Sequence, residues 1–180
     1  MLSILEMIEA QLNEWYTSLP STIAFDLPYA GLVPAIEDDL RYILRSRYIT
    51  MREQLYRPFV RMCIEHKLDN VSFQLVEKLA NIASEGLLYA TYRLQIFVIS
   101  RHQGLWSALR GYITCSMILI AASRAQGRPD RVAAKSIVFP INWKDQIQNK
   151  LERFGSYARE PAGGCSEIYQ LLVEHLDQAV

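Results

Sequence analysis

In every long segment of this chain, apolar residues recur at spacings of three and four. Prolines stand mostly between those segments. That period is the repeat of one helix face, and no stretch shows the period-two alternation of a half-buried strand. Six of the seven prolines fall in three gaps: Pro20, Pro28 and Pro34, then Pro129 and Pro140, then Pro161. Proline lacks the N–H a helix interior needs, so these gaps read as breaks between helices. The length, 180 residues, is that of one domain. An apolar fraction of 51% against 21% charged excludes a disordered tail and supplies an ample core. The expectation is an all-α, single-domain helical bundle of about six helices over residues 1–180, with no repeat or low-complexity stretch.

The segments can be placed. Leu5, Ile8, Leu12, Trp15 and Leu19 form the stripe of a first helix, ended by Pro20. Leu40, Leu44, Tyr48, Met51 and Leu55 form the stripe of a second, with Arg41, Arg45 and Arg52 on a neighbouring face. Pro58 lies inside this pattern and predicts a kink or an end near Tyr56. Asn70 or Ser72 caps a third helix, whose stripe runs through Leu75, Leu79, Ile82, Gly86 and Ala90 to Phe97, with a break expected near Gly86. A fourth spans about Gln103 to Ser123. It is apolar nearly all round from Ile113 to Ala122, which predicts the central, buried helix. Ile147, Leu151 and Phe154 align in a fifth, opened at Ile141 or Asn142. Ile168, Leu172 and His175 or Leu176 align in a sixth, after Gly163 and Gly164.

Net charge is zero, so the molecule as a whole is not built for nucleic acid. The charges are nonetheless polarised. Residues 1–40 hold seven acids and no Lys or Arg, whereas residues 41–61 hold six arginines and one acid, Glu53. The simplest consequence is internal pairing of the acidic start with the basic helix after it. A basic groove for an anionic ligand is the alternative. In the pairing case, Arg45 and Arg52 belong to the exposed part, and Arg57 is a buried partner.

Three cysteines, Cys63, Cys115 and Cys165, lie about fifty residues apart without a CxxC. They read as free thiols, and no metal site is expected from them. The start, MLSILEMIEA, has no basic residue and is interrupted by two glutamates, unlike a signal or transit peptide. The most apolar run, Ile113 to Ala122, is ten residues, about half a membrane span. A nuclear or cytoplasmic chain without membrane contact is expected. No dinucleotide, P-loop, nucleophile-elbow or zinc-protease signature occurs, so no cofactor is expected. His66 and His175 each follow a glutamate, and adjacent helix residues face apart, so neither pair makes a ligand set.

One constellation has chemical content. His102, Trp106 and Arg110 share a face of the fourth helix at i, i+4, i+8, and Glu85, Tyr89 and Arg93 do the same on the third. Facing each other, they would line a pocket with an imidazole, an indole, two guanidiniums, a phenol and an acid. Such sets serve general acid–base chemistry, with His102 and Glu85 as the proton-transfer pair. They also bind small molecules, or simply form an internal network of ion pairs and packing.

Several segments resemble a known family. Leu12 to Pro20 (LNEWYTSLP) with Phe25-Asp26, Tyr48 to Phe59 (YITMREQLYRPF), and His102 to Trp106 (HQGLW) followed by Leu119-Ile120-Ala121-Ala122 are similar, in order and spacing, to the regulatory domain of fungal zinc-cluster transcription factors. The resemblance covers about residues 12–124, and LYRPF is its most specific piece. It implies an all-helical regulatory domain, of a kind thought to sense metabolites, restrain an activation segment and help dimers form. It implies that Arg57, before Pro58, is a structural residue at a helix kink, with Asp26, Glu37, Asp38 or Asp39 as its partner. The family reads DNA through an N-terminal cluster of six zinc-binding cysteines. This chain matches only the later part, so neither zinc nor direct DNA binding is expected of it.

Two functions remain open at this stage. One is a regulatory, ligand-sensing and interaction domain in transcription, partnered by a small apolar metabolite, a second copy or another regulatory protein. The other is a stand-alone small-molecule-binding protein or enzyme of fungal metabolism, of isomerase, cyclase or hydrolase type. In either case Tyr89, Arg93, His102, Trp106 and Arg110 are the candidate ligand residues.

Overall fold

The computed structural model describes residues 1–29, 31–36, 38–66, 68, 71–96, 105–158 and 166–178. Side chains are described throughout these except at 105–107, 153–158 and 166–169. The described residues form seven helices and no strand: α1 (Leu2–Thr17), α2 (Asp39–Glu65), α3 (Phe73–Ile96), α4 (Leu105–Gln126), α5 (Val132–Lys135), α6 (Trp143–Ala158) and α7 (Ser166–Asp177). The fold is therefore all-α. The helix beyond the six expected is α5, a single turn whose Ala133 and Ala134 are buried. Four residues are too few to show a period.

Local chemistry sets the boundaries. Asp38 caps α2, its Oδ1 accepting from the Arg41 amide at 2.8 Å. Ser72 caps α3 in the same way, accepting from the Leu75 amide at 3.4 Å. The helix continues through Pro58. Pro58 and Gln54, whose carbonyl would have been its partner, are both exposed. The missing bond therefore lies on the solvated side, where a helix tolerates it.

α3 is likewise unbroken at Gly86, because that glycine serves packing. A Cβ there would lie 2.7 Å from Val60 Cγ2 and 3.0 Å from Tyr56 Cβ. Together with Ala80, Ala83 and Ala90, all buried on α3, it lets α2 approach closely. Gly86→Val is expected to cost about 2–3 kcal/mol by overpacking this contact. Urea denaturation measures it, and an unchanged midpoint would mean that the two helices do not touch there.

Among the described residues the main core cluster runs from Leu5 on α1 through Phe59 and Cys63 on α2, Leu87 and Leu94 on α3 and Leu119 on α4 to Ile147, Leu151 and Leu172 on α6 and α7, and a smaller one joins Ile49 of α2 to Tyr92 and Ile96 of α3. The most extensive packing is that of α2 on α3, and α3 also packs against α4, α5 and α6. So α3, not α4, holds the centre. α4 keeps one open side, where Met117 is 37% exposed. Its all-round apolar run is more than its neighbours cover.

The buried face of α2 also differs from expectation. Leu40 and Met51, expected inside, are exposed. Tyr48 is buried as expected, and Arg45, Ile49, Arg52, Glu53, Tyr56 and Phe59 are buried with it. Hydropathy ranks an arginine as a surface residue. A guanidinium on a long apolar stem enters a core when partners meet it there.

Candidate functional site

α2 carries a polar seam into the bundle. Arg52, 6% exposed, donates from Nε to the Tyr48 hydroxyl at 3.1 Å and from Nη1 to the Tyr56 hydroxyl at 2.9 Å. These lie at i−4 and i+4, which places both phenols beside it on one helix face. From α1, Glu9 Oε1 accepts from Nη1 at 3.1 Å, and Asn13 Oδ1 accepts from Nη2. The Tyr56 hydroxyl in turn donates to Glu9. The guanidinium carbon sits 5.3 Å from the Tyr48 ring centre and 5.9 Å from that of Tyr89, a cation–π arrangement. Trp15 of α1 stacks on Tyr48 at 6.3 Å. The acidic start does dock against the basic helix, as charge order suggests. The docking residue Arg52, however, is buried rather than exposed.

Beside Arg52 on α2, the next residue centres an ion triad. Glu53, 1% exposed, accepts from Arg57 Nε at 2.8 Å and Nη2 at 2.6 Å, and from Arg93 Nη1 of α3 at 2.6 Å. The partner of Arg57 is thus Glu53, four residues earlier, and not Asp26, Asp38 or Asp39. Glu37 lies outside the described residues. The i, i+4 spacing on a continuous helix brings Glu53 and Arg57 together without any help from the loop. Burial pushes the thiol of Cys115 on α4, beside this triad, up to about 12, and burial alone takes Cys63 up to about 11. Neither sulfur is a nucleophile at neutral pH.

Of the constellation expected between the third and fourth helices, the side chains of Glu85, Tyr89, Arg93 and Arg110 are described. Tyr89 packs on Tyr56 of α2 at 5.7 Å and edge-on to Tyr92 at 5.7 Å. Arg93 reaches Glu53. Tyr89 is therefore engaged toward α2, and Arg93 toward Glu53 of α2 and Cys115 of α4. Glu85 and Arg110 are exposed. Trp106 belongs to α4, with only its backbone described, and His102 lies outside the described residues. The residue that sequence reasoning missed is Glu53. Its signal was available: it is the lone acid in a six-arginine segment, four residues before Arg57.

Two phenols of the seam carry a pH dependence. Burial, reinforced by the bond to Glu9, raises the Tyr56 pKa well above its ordinary value. Burial, with the neighbouring Tyr48, does the same for Tyr89. A raised acid pKa in the folded state means that the unfolded chain releases its proton first. This contribution to stability is present below about pH 10 and is lost as pH rises beyond it. Thermal midpoints should fall steeply above about pH 10, and more gently in Tyr56→Phe. Equal slopes in the two proteins would contradict the assignment.

Concavities open on the surface among the described residues. One is a groove of about 430 Å³ between α2 and α4, walled by Val60, Ile64, Ile113, Met117, Ile118 and Ala121. Arg61, Glu65 and Thr114 complete it, and Arg61 and Glu65 pair at 3.0 Å as exposed residues. The surplus apolar residues of the Ile113–Ala122 run lie here. Another is a polar pocket of about 510 Å³ where the end of α1 and the 24–38 segment meet the start of α2, around Arg41.

Among the described residues, no three His, Cys, Asp or Glu side chains converge as metal ligands would. No helix among them is long and apolar enough to cross a membrane. No protein-family model, curated protein or solved structure matches the chain.

Proposed function

We propose that this chain is a regulatory, ligand-sensing domain of the kind found in fungal zinc-cluster transcription factors, and that the groove between α2 and α4 is its sensing site. The observation that carries this reading is the groove itself. At about 430 Å³ it has the size of a small-molecule site, and its walls are apolar side chains with few polar groups. Arg61, exposed at the rim, is the cation that would meet an acidic or carbonyl oxygen of the guest. The occupant that fits is a mainly apolar metabolite with one carboxylate or carbonyl.

The sequence resemblance supports the same reading, since LYRPF ends within α2, one residue before Val60 of the groove wall. The polar side chains of the seam are paired with one another across α1, α2 and α3. Their roles are those of a framework, which favours binding over turnover in this part of the chain.

A tethered reporter tests the regulatory role. The chain is placed between a heterologous DNA-binding module and an activation segment in a fungal host. Reporter output should fall several-fold relative to the same fusion without the chain, and Met117→Arg should alter that restraint. Output indifferent to the presence of the chain would contradict the reading. A dimer abolished by Met117→Arg in sedimentation would assign the groove to a second copy instead.

A further inference from the structure

The polar pocket near Arg41 calls for a different guest. Tyr16, Phe25, Asp26, Ile36, Asp38 and Arg41 line it, with Ala24 and Ala35. The phenol of Tyr16 is held by donating to the Phe25 carbonyl at 2.9 Å, and the Tyr16 and Phe25 rings pack at 5.2 Å. That gives a fixed aromatic wall. The charged groups are only half used. Arg41 donates from Nε and Nη2 to the Thr22 carbonyl at 3.3 and 3.1 Å, which leaves Nη1 uncommitted. Asp38 spends Oδ1 on its helix cap, which leaves Oδ2. The Asp26 carboxylate has no hydrogen bond or ion pair among the described residues.

A second observation comes from Arg45. It follows Arg41 by one turn of α2 and is 2% exposed, yet its Nε and Nη1 are buried without a hydrogen-bond partner. The carboxylate of Asp26, on the pocket wall, is one of the charges acting on it. A buried guanidinium left short of partners is costly. Arg45 is thus a second positive centre acting on Asp26, in a pocket whose described lining holds one cation, Arg41, and two anions, Asp26 and Asp38. A simple anion would meet Asp26 and Asp38, and a simple cation would meet Arg41 with Arg45 behind it. A guest carrying both charges close together satisfies each group.

We infer that this pocket binds a small zwitterion of the α-amino-acid type. Its ammonium faces Asp26 and Asp38, its carboxylate faces the Arg41 side, and its side chain lies against Tyr16, Phe25 and Ile36. The volume, about 510 Å³, suits a single amino acid with an apolar or aromatic side chain. This site is separate from the α2–α4 groove, with no lining residue in common.

Calorimetric titration of the whole chain with L-leucine, L-phenylalanine and L-tryptophan tests the inference. L-phenylalaninamide, which lacks the carboxylate, and 3-phenylpropanoate, which lacks the ammonium, serve as controls. At least one amino acid should bind saturably with one-to-one stoichiometry, and each control should bind about tenfold more weakly or less, the equivalent of one lost charged contact. Asp26→Asn, at an exposed residue and with the fold checked by circular dichroism, should weaken the amino acid about tenfold and leave 3-phenylpropanoate unweakened. Met117→Arg, in the other groove, should leave amino-acid binding unchanged. No binding of any amino acid at about 10 mM, or a control that binds as tightly as its parent, would overturn the inference.

Discussion

Glu53→Ala is expected to lower stability by about 3–5 kcal/mol, the cost of leaving buried cations without their anion. Two guanidiniums converge on that carboxylate from α2 and α3. Its removal takes from Arg93, 12% exposed, the carboxylate it now holds at 2.6 Å. Arg57 is 30% exposed and can turn to water, so Arg57→Ala should cost less, about 1–2 kcal/mol. A domain of this size has about 5–15 kcal/mol to lose, so the alanine variant at Glu53 should melt far below the wild type. Urea unfolding followed by circular dichroism measures both variants. A loss at Glu53 no larger than that at Arg57 would mean that the triad does not join α2 to α3.

Arg52→Glu is expected to be at least as damaging, at about 4 kcal/mol or more. The substitution removes the donor that joins Tyr48, Tyr56, Glu9 and Asn13. It also sets a second carboxylate beside Glu9, in a position where the wild-type side chain is 8% exposed. The loss should be local first. α1 is held to the bundle by this seam, by Leu5 in the core and by the exposed Glu6–Lys78 pair. In Arg52→Ala, amide exchange should speed up through residues 5–17 while the α3 core remains protected. Uniform acceleration over both helices would show that α1 is not a separately latched element.

Much of the architecture was legible because helical period and proline gaps are local properties of a chain. The described members of the stripes of α6 and α7, Ile147, Leu151, Leu172 and Leu176, are buried, and the side chains of Phe154 and Ile168 lie outside those described. α2 was harder to read. Its inward face is set by Arg52 and Glu53, and an arginine or a glutamate looks like a surface residue until its partners on α1 and α3 are known. Gly86 was read as a break because glycine weakens helices. The α2 residues that need its missing Cβ, Tyr56 and Val60, are contiguous with it only in space. The candidate site suffered the same limit. Spacing placed Tyr89 and Arg93 on one helix face correctly, but it could not say that the face meets α2. The groove left its signal in an apolar run too rich for the cover it receives. The polar pocket is built from three separate segments and leaves no local signal at all.

Saturation binding of a dansyl-labelled long-chain carboxylate, an apolar probe with one acidic head, tests the sensing site most directly. The wild-type chain should bind one probe molecule, saturably, with emission shifted to the blue by the apolar walls. Met117→Arg and Ile113→Asp, folded by circular dichroism, should each weaken binding about tenfold or more. Probe binding that neither substitution changes, or no saturable binding by the wild type, would contradict the assignment of the α2–α4 groove.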